Sequence, residues 1–125
     1  MKAKILIVDD SSLARRTTRQ SLEALGYIVE EAKDGAEALE RYFLQRHDLV
    51  ILDMVMTGMY GLEVLTKMRE LNPEVRVIVA TADIQISTRE QAREAGAAAF
   101  LNKPIDREAL ADVVARTLAG EAVWN

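Results

Sequence analysis

The chain of 125 residues has the length of one domain. Half of its residues are hydrophobic, 29% are charged and 5% are aromatic, a balance that excludes a disordered or fibrous protein and can build a core without staples. It has no cysteine, which excludes a disulfide framework and thiolate chemistry. The net charge of −4 argues against nucleic-acid binding by this chain alone.

In chain order, "KILIV" at 4–8 predicts the first strand, and its apolar part is too short for a signal-peptide core or a membrane span. Ser11 or Ser12 caps the helix that follows, and Gly26 ends it. "YIVEEA" at 27–32 predicts a second strand, which Glu30 and Glu31 place at an exposed edge. Asp34 and Gly35 open the second helix, with Ala36, Leu39 and Phe43 at helical spacing. "LVIL" at 49–52 is the third strand. Leu62, Leu65 and Met68 mark the third helix, which Asn72 and Pro73 close. "VRVIVA" at 75–80 is the fourth strand, followed by a helix that begins near Ser87 and stops at Gly96. "AAFL" at 98–101 is the fifth. Asp106 then caps the clearest amphipathic helix, in which Leu110, Val113, Val114, Thr117 and Leu118 keep i, i+3, i+4, i+7, i+8 spacing.

Four of the strands are nearly continuous apolar runs, as parallel strands covered on both faces should be. The fold class is therefore α/β: a five-stranded parallel sheet with helices on both faces, doubly wound and flavodoxin-like, in the order 2-1-3-4-5. Residues 1–120 are expected to form the domain and 121–125 a C-terminal tail.

In such a sheet, ligands bind beyond the carboxyl ends of the strands, where the strand order reverses. Asp9 and Asp10 follow the first strand, Asp53 the third, Thr81 the fourth, and Lys103 with Pro104 the fifth. Three carboxylates gathered there repel one another by about 4 kcal/mol per pair at ~4 Å, for an effective dielectric of about 20. Either one stays protonated or a cation sits among them. All these groups are hard oxygens, and the one histidine, His47, lies at the other end of its strand as a loop residue, so Mg²⁺ is the favoured cation. Lys103 and Thr81 supply a positive charge and a hydroxyl for a phosphoryl group, with Asp53 as candidate nucleophile.

"VDD" at 8–10, "LDMVM" at 52–56, "ATA" at 80–82 and "FLNKP" at 100–104 carry a resemblance. From about residue 2 to 118 the chain resembles a receiver domain of two-component response regulators, similar to the single-domain chemotaxis regulator. The resemblance implies that Asp53 accepts a phosphoryl group from a sensor histidine kinase or phosphotransfer protein. It also implies that Asp9, Asp10, Asp53 and the backbone carbonyl of Val55 hold Mg²⁺, with Asp9 acting directly or through water. Lys103 and Thr81 contact the phosphoryl oxygens, Thr81 and Phe100 act as the switch pair, and the Lys103–Pro104 bond is cis. By the same resemblance, the output surface would be the face of the fourth helix, fifth strand and fifth helix, including Ile84, Ile86, residues 97–99 and Phe100. The chain would be cytoplasmic and would catalyse only its own phosphorylation and dephosphorylation. It would be a monomer or a weak phosphorylation-dependent dimer, and would act on a protein target or through a removed output domain.

This chain departs from the family pattern at Thr57, followed by Gly58, where many receivers carry proline four residues after the phosphorylated Asp, and at Tyr60, where an acid is common before the glycine matching Gly61. Val55 offers a hydrolytic water no polar side chain, whereas Asp83 beside it could orient one. Arg15, Arg16 and Arg19 could meet a kinase or form a solvated helix face, and Trp124 could anchor the tail or mark the start of a removed segment. Three rival readings are weaker. An aspartate-nucleophile phosphatase needs an acid where Val55 stands. A mononucleotide-binding module needs a Gly, Ser and Thr-rich phosphate loop where "DDSSLAR" stands. A degenerate receiver acting only as an interaction module would have lost part of the set.

Overall fold

The structure is a computed structural model that describes residues 2–124 except Thr57, Met59 and Ile84. The expectations attached to Thr57 and Ile84 lie outside the described residues, as does the end of the tail at Asn125. Five strands and five helices alternate: β1 (Lys4–Val8), α1 (Ser12–Ala24), β2 (Ile28–Ala32), α2 (Gly35–Gln45), β3 (Leu49–Asp53), α3 (Gly61–Leu71), β4 (Val77–Thr81), α4 (Ile86–Glu94), β5 (Ala99–Asn102) and α5 (Arg107–Leu118). The strands form one parallel sheet in the order β2-β1-β3-β4-β5, as the apolar runs predict.

Successive strand side chains point to opposite faces, and this alternation divides the core in two. Leu6, Val8, Val50, Leu52, Val77 and Val79 pack beneath α2, α3 and α4. Ile5, Ile7, Leu49, Ile51, Ile78 and Ala80 pack beneath α1 and α5. α1, α2 and α5 begin on the side-chain caps expected of Ser11, Asp34 and Asp106, which accept the backbone N–H groups of Ala14, Glu37 and Ala109.

β3 and β4 each run one residue beyond their apolar stretch, because the ladder continues through Asp53↔Ala80 and Thr81↔Asn102. Asp53 and Thr81 are therefore the last residues of rigid strands rather than loop residues.

α2 differs from the expectation. Its buried face is Gly35, Ala38 and Tyr42, while Phe43 is 60% exposed. Tyr42 is held there by the ring of His47, with centroids 6.2 Å apart, and by Asn72, whose side-chain N–H donates to the Tyr42 hydroxyl at 3.0 Å.

β2 is an edge strand, and its two glutamates serve opposite faces. Glu31 accepts from Arg15 at 3.0 Å and from Arg19 at 2.8 Å, so these arginines tie α1 to the sheet instead of forming a free basic face. The Arg19 hydrogen bond, more than Arg15, holds the Glu31 carboxyl below its ordinary range despite burial. Glu30 faces the other way and meets His47 Nε2 at 2.5 Å. His47 does lie in the loop before β3, but its side chain is fully buried.

Candidate functional site

The carboxyl ends of β1, β3, β4 and β5 converge on one crevice. Asp9, one residue past β1, and Asp53, at the end of β3, are both buried, and Asp10 beside them is exposed. Each of the three offers a carboxylate oxygen within 4.8 Å of the others, the one such acidic group among the described residues.

Backbone geometry fixes the two buried acids. Asp9 Oδ1 accepts the Ser11 N–H at 2.9 Å, and Arg15 donates to the Asp9 carbonyl at 2.6 Å. Asp53 Oδ1 accepts the Val55 N–H at 3.2 Å. α3 begins against this strand end: the Gly61 N–H donates to the Met54 carbonyl at 3.0 Å. A side chain at Gly61 would meet the Asp53 carbonyl and Met54 Cα, so glycine is required by close approach.

Lys103 enters from the loop after β5. Its backbone N–H donates to the Thr81 carbonyl at 2.9 Å, and the Lys103–Pro104 peptide bond is cis. The ammonium lies 2.5 Å from Asp9 Oδ2 and 3.2 Å from Asp53 Oδ2. Sequence reasoning assigned Lys103 to the phosphoryl side of the site; the structure shows it also bridging the two buried acids.

One ammonium shared by two carboxylates leaves a charge deficit. Burial raises the Asp53 carboxyl above its ordinary range, and Asp9 adds to the rise; the Val55 N–H and Lys103 oppose it without cancelling it. For Lys103, burial acts to lower the pKa, but the Asp9 hydrogen bond and the charges of both acids outweigh it, and the net shift is upward. The ammonium therefore stays charged, and a second cation would relieve Asp53. Three hard oxygen donors around a crevice fit Mg²⁺ in number and chemistry.

Thr81 is fully buried, and its hydroxyl accepts the Asp83 N–H at 3.1 Å, leaving its own proton to donate. Val55, 57% exposed, and Asp83 line a groove of about 610 Å³ between α3 and α4 beside the crevice. Both Asp83 oxygens already accept hydrogen bonds, from Thr88 at 2.6 Å and from the Gln85 N–H at 2.9 Å. Chiefly the Thr88 bond keeps this carboxyl below its ordinary range, which makes it a poor base for a water.

Phe100 is half-buried on β5 and lies outside the acidic cluster, with Trp124 as its ring neighbour at 6.2 Å between centroids. Two features carried no signal in the sequence: the burial of His47 against Glu30, at the opposite end of β3 from Asp53, and the seating of Trp124 on Phe100.

The comparisons with known proteins agree with this geometry. Residues 5–115 match the model of the response regulator receiver domain. The chain is 40% identical over 119 residues to the response regulator MprA of Mycobacterium ulcerans, covering 95% of this chain and 50% of that protein. It thus spans about half the length of the curated relatives it matches. Among solved structures, it is similar to a CheY-like response regulator receiver domain protein from Methanospirillum hungatei, with a TM-score of 0.92, 30% identity and 96% of each chain covered. It is also similar to the chemotaxis protein CheY4 of Vibrio cholerae, with a TM-score of 0.89 and 31% identity over 94% of this chain and 99% of that one. By fold, site and similarity, the chain belongs to the response regulator receiver domain family.

Proposed function

We propose that the protein is a phosphorylation-activated receiver in which Asp53 accepts a phosphoryl group from a phosphohistidine of a sensor kinase or phosphotransfer protein. The observation that carries this reading is the placement of Asp53: a buried carboxylate at the end of a rigid strand, sharing one ammonium with Asp9 and offering an oxygen within 4.8 Å of one each from Asp9 and Asp10.

Asp9, Asp10 and Asp53, with the Val55 carbonyl, would hold Mg²⁺, which when bound neutralises charge on the transferring group. The remaining steps belong to the protein's own side chains. Asp53 attacks phosphorus, the donor's P–N bond breaks as the new P–O bond forms, and the imidazole leaves with the electron pair and takes a proton. Lys103, already 3.2 Å from Asp53, pairs with one phosphoryl oxygen. The Thr81 hydroxyl donates to another, and its movement draws Phe100 inward, changing the face formed by α4, β5 and α5.

The domain spans residues 1–120 in this reading, works in the cytoplasm, and catalyses only its own phosphorylation and dephosphorylation. None of the described helices is long and apolar enough to cross a membrane. A phosphatase would need an acid at position 55 to protonate its leaving group, and Val55 provides none.

Incubation with acetyl phosphate and Mg²⁺ tests the reading. A hydroxylamine-labile phosphoryl adduct should form on the wild type, fail to form with a chelator, and be absent from Asp53→Asn. An adduct that persists in that variant would refute the assignment.

A further inference from the structure

β5 is the sheet edge opposite β2, and the chain itself covers the start of it. After α5, the Val123 N–H donates to the Ala98 carbonyl at 2.7 Å, and Val123 forms a parallel bridge with Ala99. Val123 is buried against the core shared with α1 and α5, whereas Trp124, next in sequence, packs against the core on the opposite face of the sheet. This is strand-like alternation.

Trp124 makes three kinds of contact there. Its indole N–H donates to the Ala97 carbonyl at 3.2 Å, its ring neighbours Phe100, and the guanidinium carbons of Arg89 and Arg93 on α4 lie 5.9 and 5.6 Å from the ring centroid. Edge pairing supplies affinity and an aromatic side chain in a shaped site supplies selectivity, the two components of strand-addition recognition.

We propose that residues 121–124 are a resident ligand of the α4–β5 surface. The partner this surface takes is a protein segment of the same chemistry: an extended stretch that pairs with the outer edge of β5 and lays an aromatic side chain on Phe100 beside Arg89 and Arg93. This assignment rests on the reading of that face as the output surface. A segment tethered so closely has an effective concentration in the millimolar range, so a partner must displace it. Inward movement of Phe100 removes the ring on which Trp124 rests and loosens the resident segment, coupling phosphorylation to access.

The test uses the full chain, isotope-labelled for NMR, as wild type and as Trp124→Ala. Each is titrated with a synthetic peptide of residues 119–124 up to several millimolar. The expected result is saturable shift changes in Trp124→Ala confined to Arg89, Arg93 and residues 97–101, with an apparent affinity at least about tenfold weaker in wild type, where the chain's own copy competes. Equal responses in the two proteins, no response in the variant, or shifts elsewhere would each overturn the proposal. Adduct formation from acetyl phosphate is measured on the same Trp124→Ala sample. A normal adduct with no peptide response sinks the resident-ligand proposal alone, whereas absence of the adduct from wild type sinks the phosphoryl-transfer reading.

Discussion

At the scale of single residues, Asp53 and Lys103 set the behaviour of the site. Asp53 is raised above its ordinary pKa by burial, so between its unfolded and folded values the native state binds more protons than the unfolded chain. Stability therefore falls as pH rises through that window. In metal-free buffer at neutral pH, Asp53→Asn should melt higher than wild type, by about 1 kcal/mol or roughly 4 °C. The advantage should shrink as acid protonates the wild-type carboxyl. Millimolar Mg²⁺ should stabilise the wild type and leave the variant unmoved; calorimetry across pH, with and without the metal, checks both. In the proposed phosphorylated state, Val55 and Asp83 are the residues expected to set the lifetime of the acyl phosphate. The Val55 side chain has no polar group to orient a water, and the bonds that Asp83 accepts from Thr88 and the Gln85 N–H weaken its carboxylate as a base. Val55→Asn should shorten the acyl-phosphate lifetime about threefold or more, and an unchanged decay would contradict this. The candidate residues were legible in the sequence because each stands at the carboxyl end of a recognisable strand. The bridging position of Lys103 was not, since nothing in residue order reveals which acid an ammonium approaches first.

At the scale of elements, the junction of β3 and α3 positions Asp53, the proposed nucleophile. A Cβ at Gly61 would lie 2.7 Å from Met54 Cα and nearer still to the Asp53 carbonyl, both backbone atoms that cannot swing aside. Gly61→Ala should therefore push α3 away from the strand end. The expected cost is about 2 kcal/mol in denaturant unfolding, with slower adduct formation because Asp53 moves with its carbonyl. Helix starts at Ser11, Asp34 and Asp106 were legible because capping is local chemistry. The buried face of α2 was not: Ala36, Leu39 and Phe43 and the competing set Ala38 and Tyr42 both fit a helical repeat. Contacts with His47, just past the helix end, and with Asn72, thirty residues away, select the second. Strand ends were read short by one residue at β3, β4 and β5, because hydrogen-bond pairing continues into polar positions that hydrophobicity cannot mark.

At the scale of the whole molecule, residues from position 9 to 103 reach one crevice because a parallel sheet gathers the ends of all its strands at one edge. That rule made the site readable before any coordinates. Long-range ties outside it stayed hidden: Arg15 and Arg19 on Glu31, His47 beneath Glu30, and Val123 and Trp124 on β5 join segments with no shared local pattern. The same architecture sets the acids at the strand ends and Phe100 with Trp124 on the flank, so in the proposed reading a signal passes from one to the other through Thr81 and β5. All of this depends on Asp53 being the residue that is phosphorylated. The most direct measurement is site mapping of the protein after treatment with Mg²⁺ and phosphoramidate, followed by borohydride reduction and fragmentation of the tryptic segment 47–67. The account predicts conversion of the acyl phosphate to homoserine at position 53 alone. Modification at Asp48 or Glu63 instead, or no modification of the segment, would contradict it.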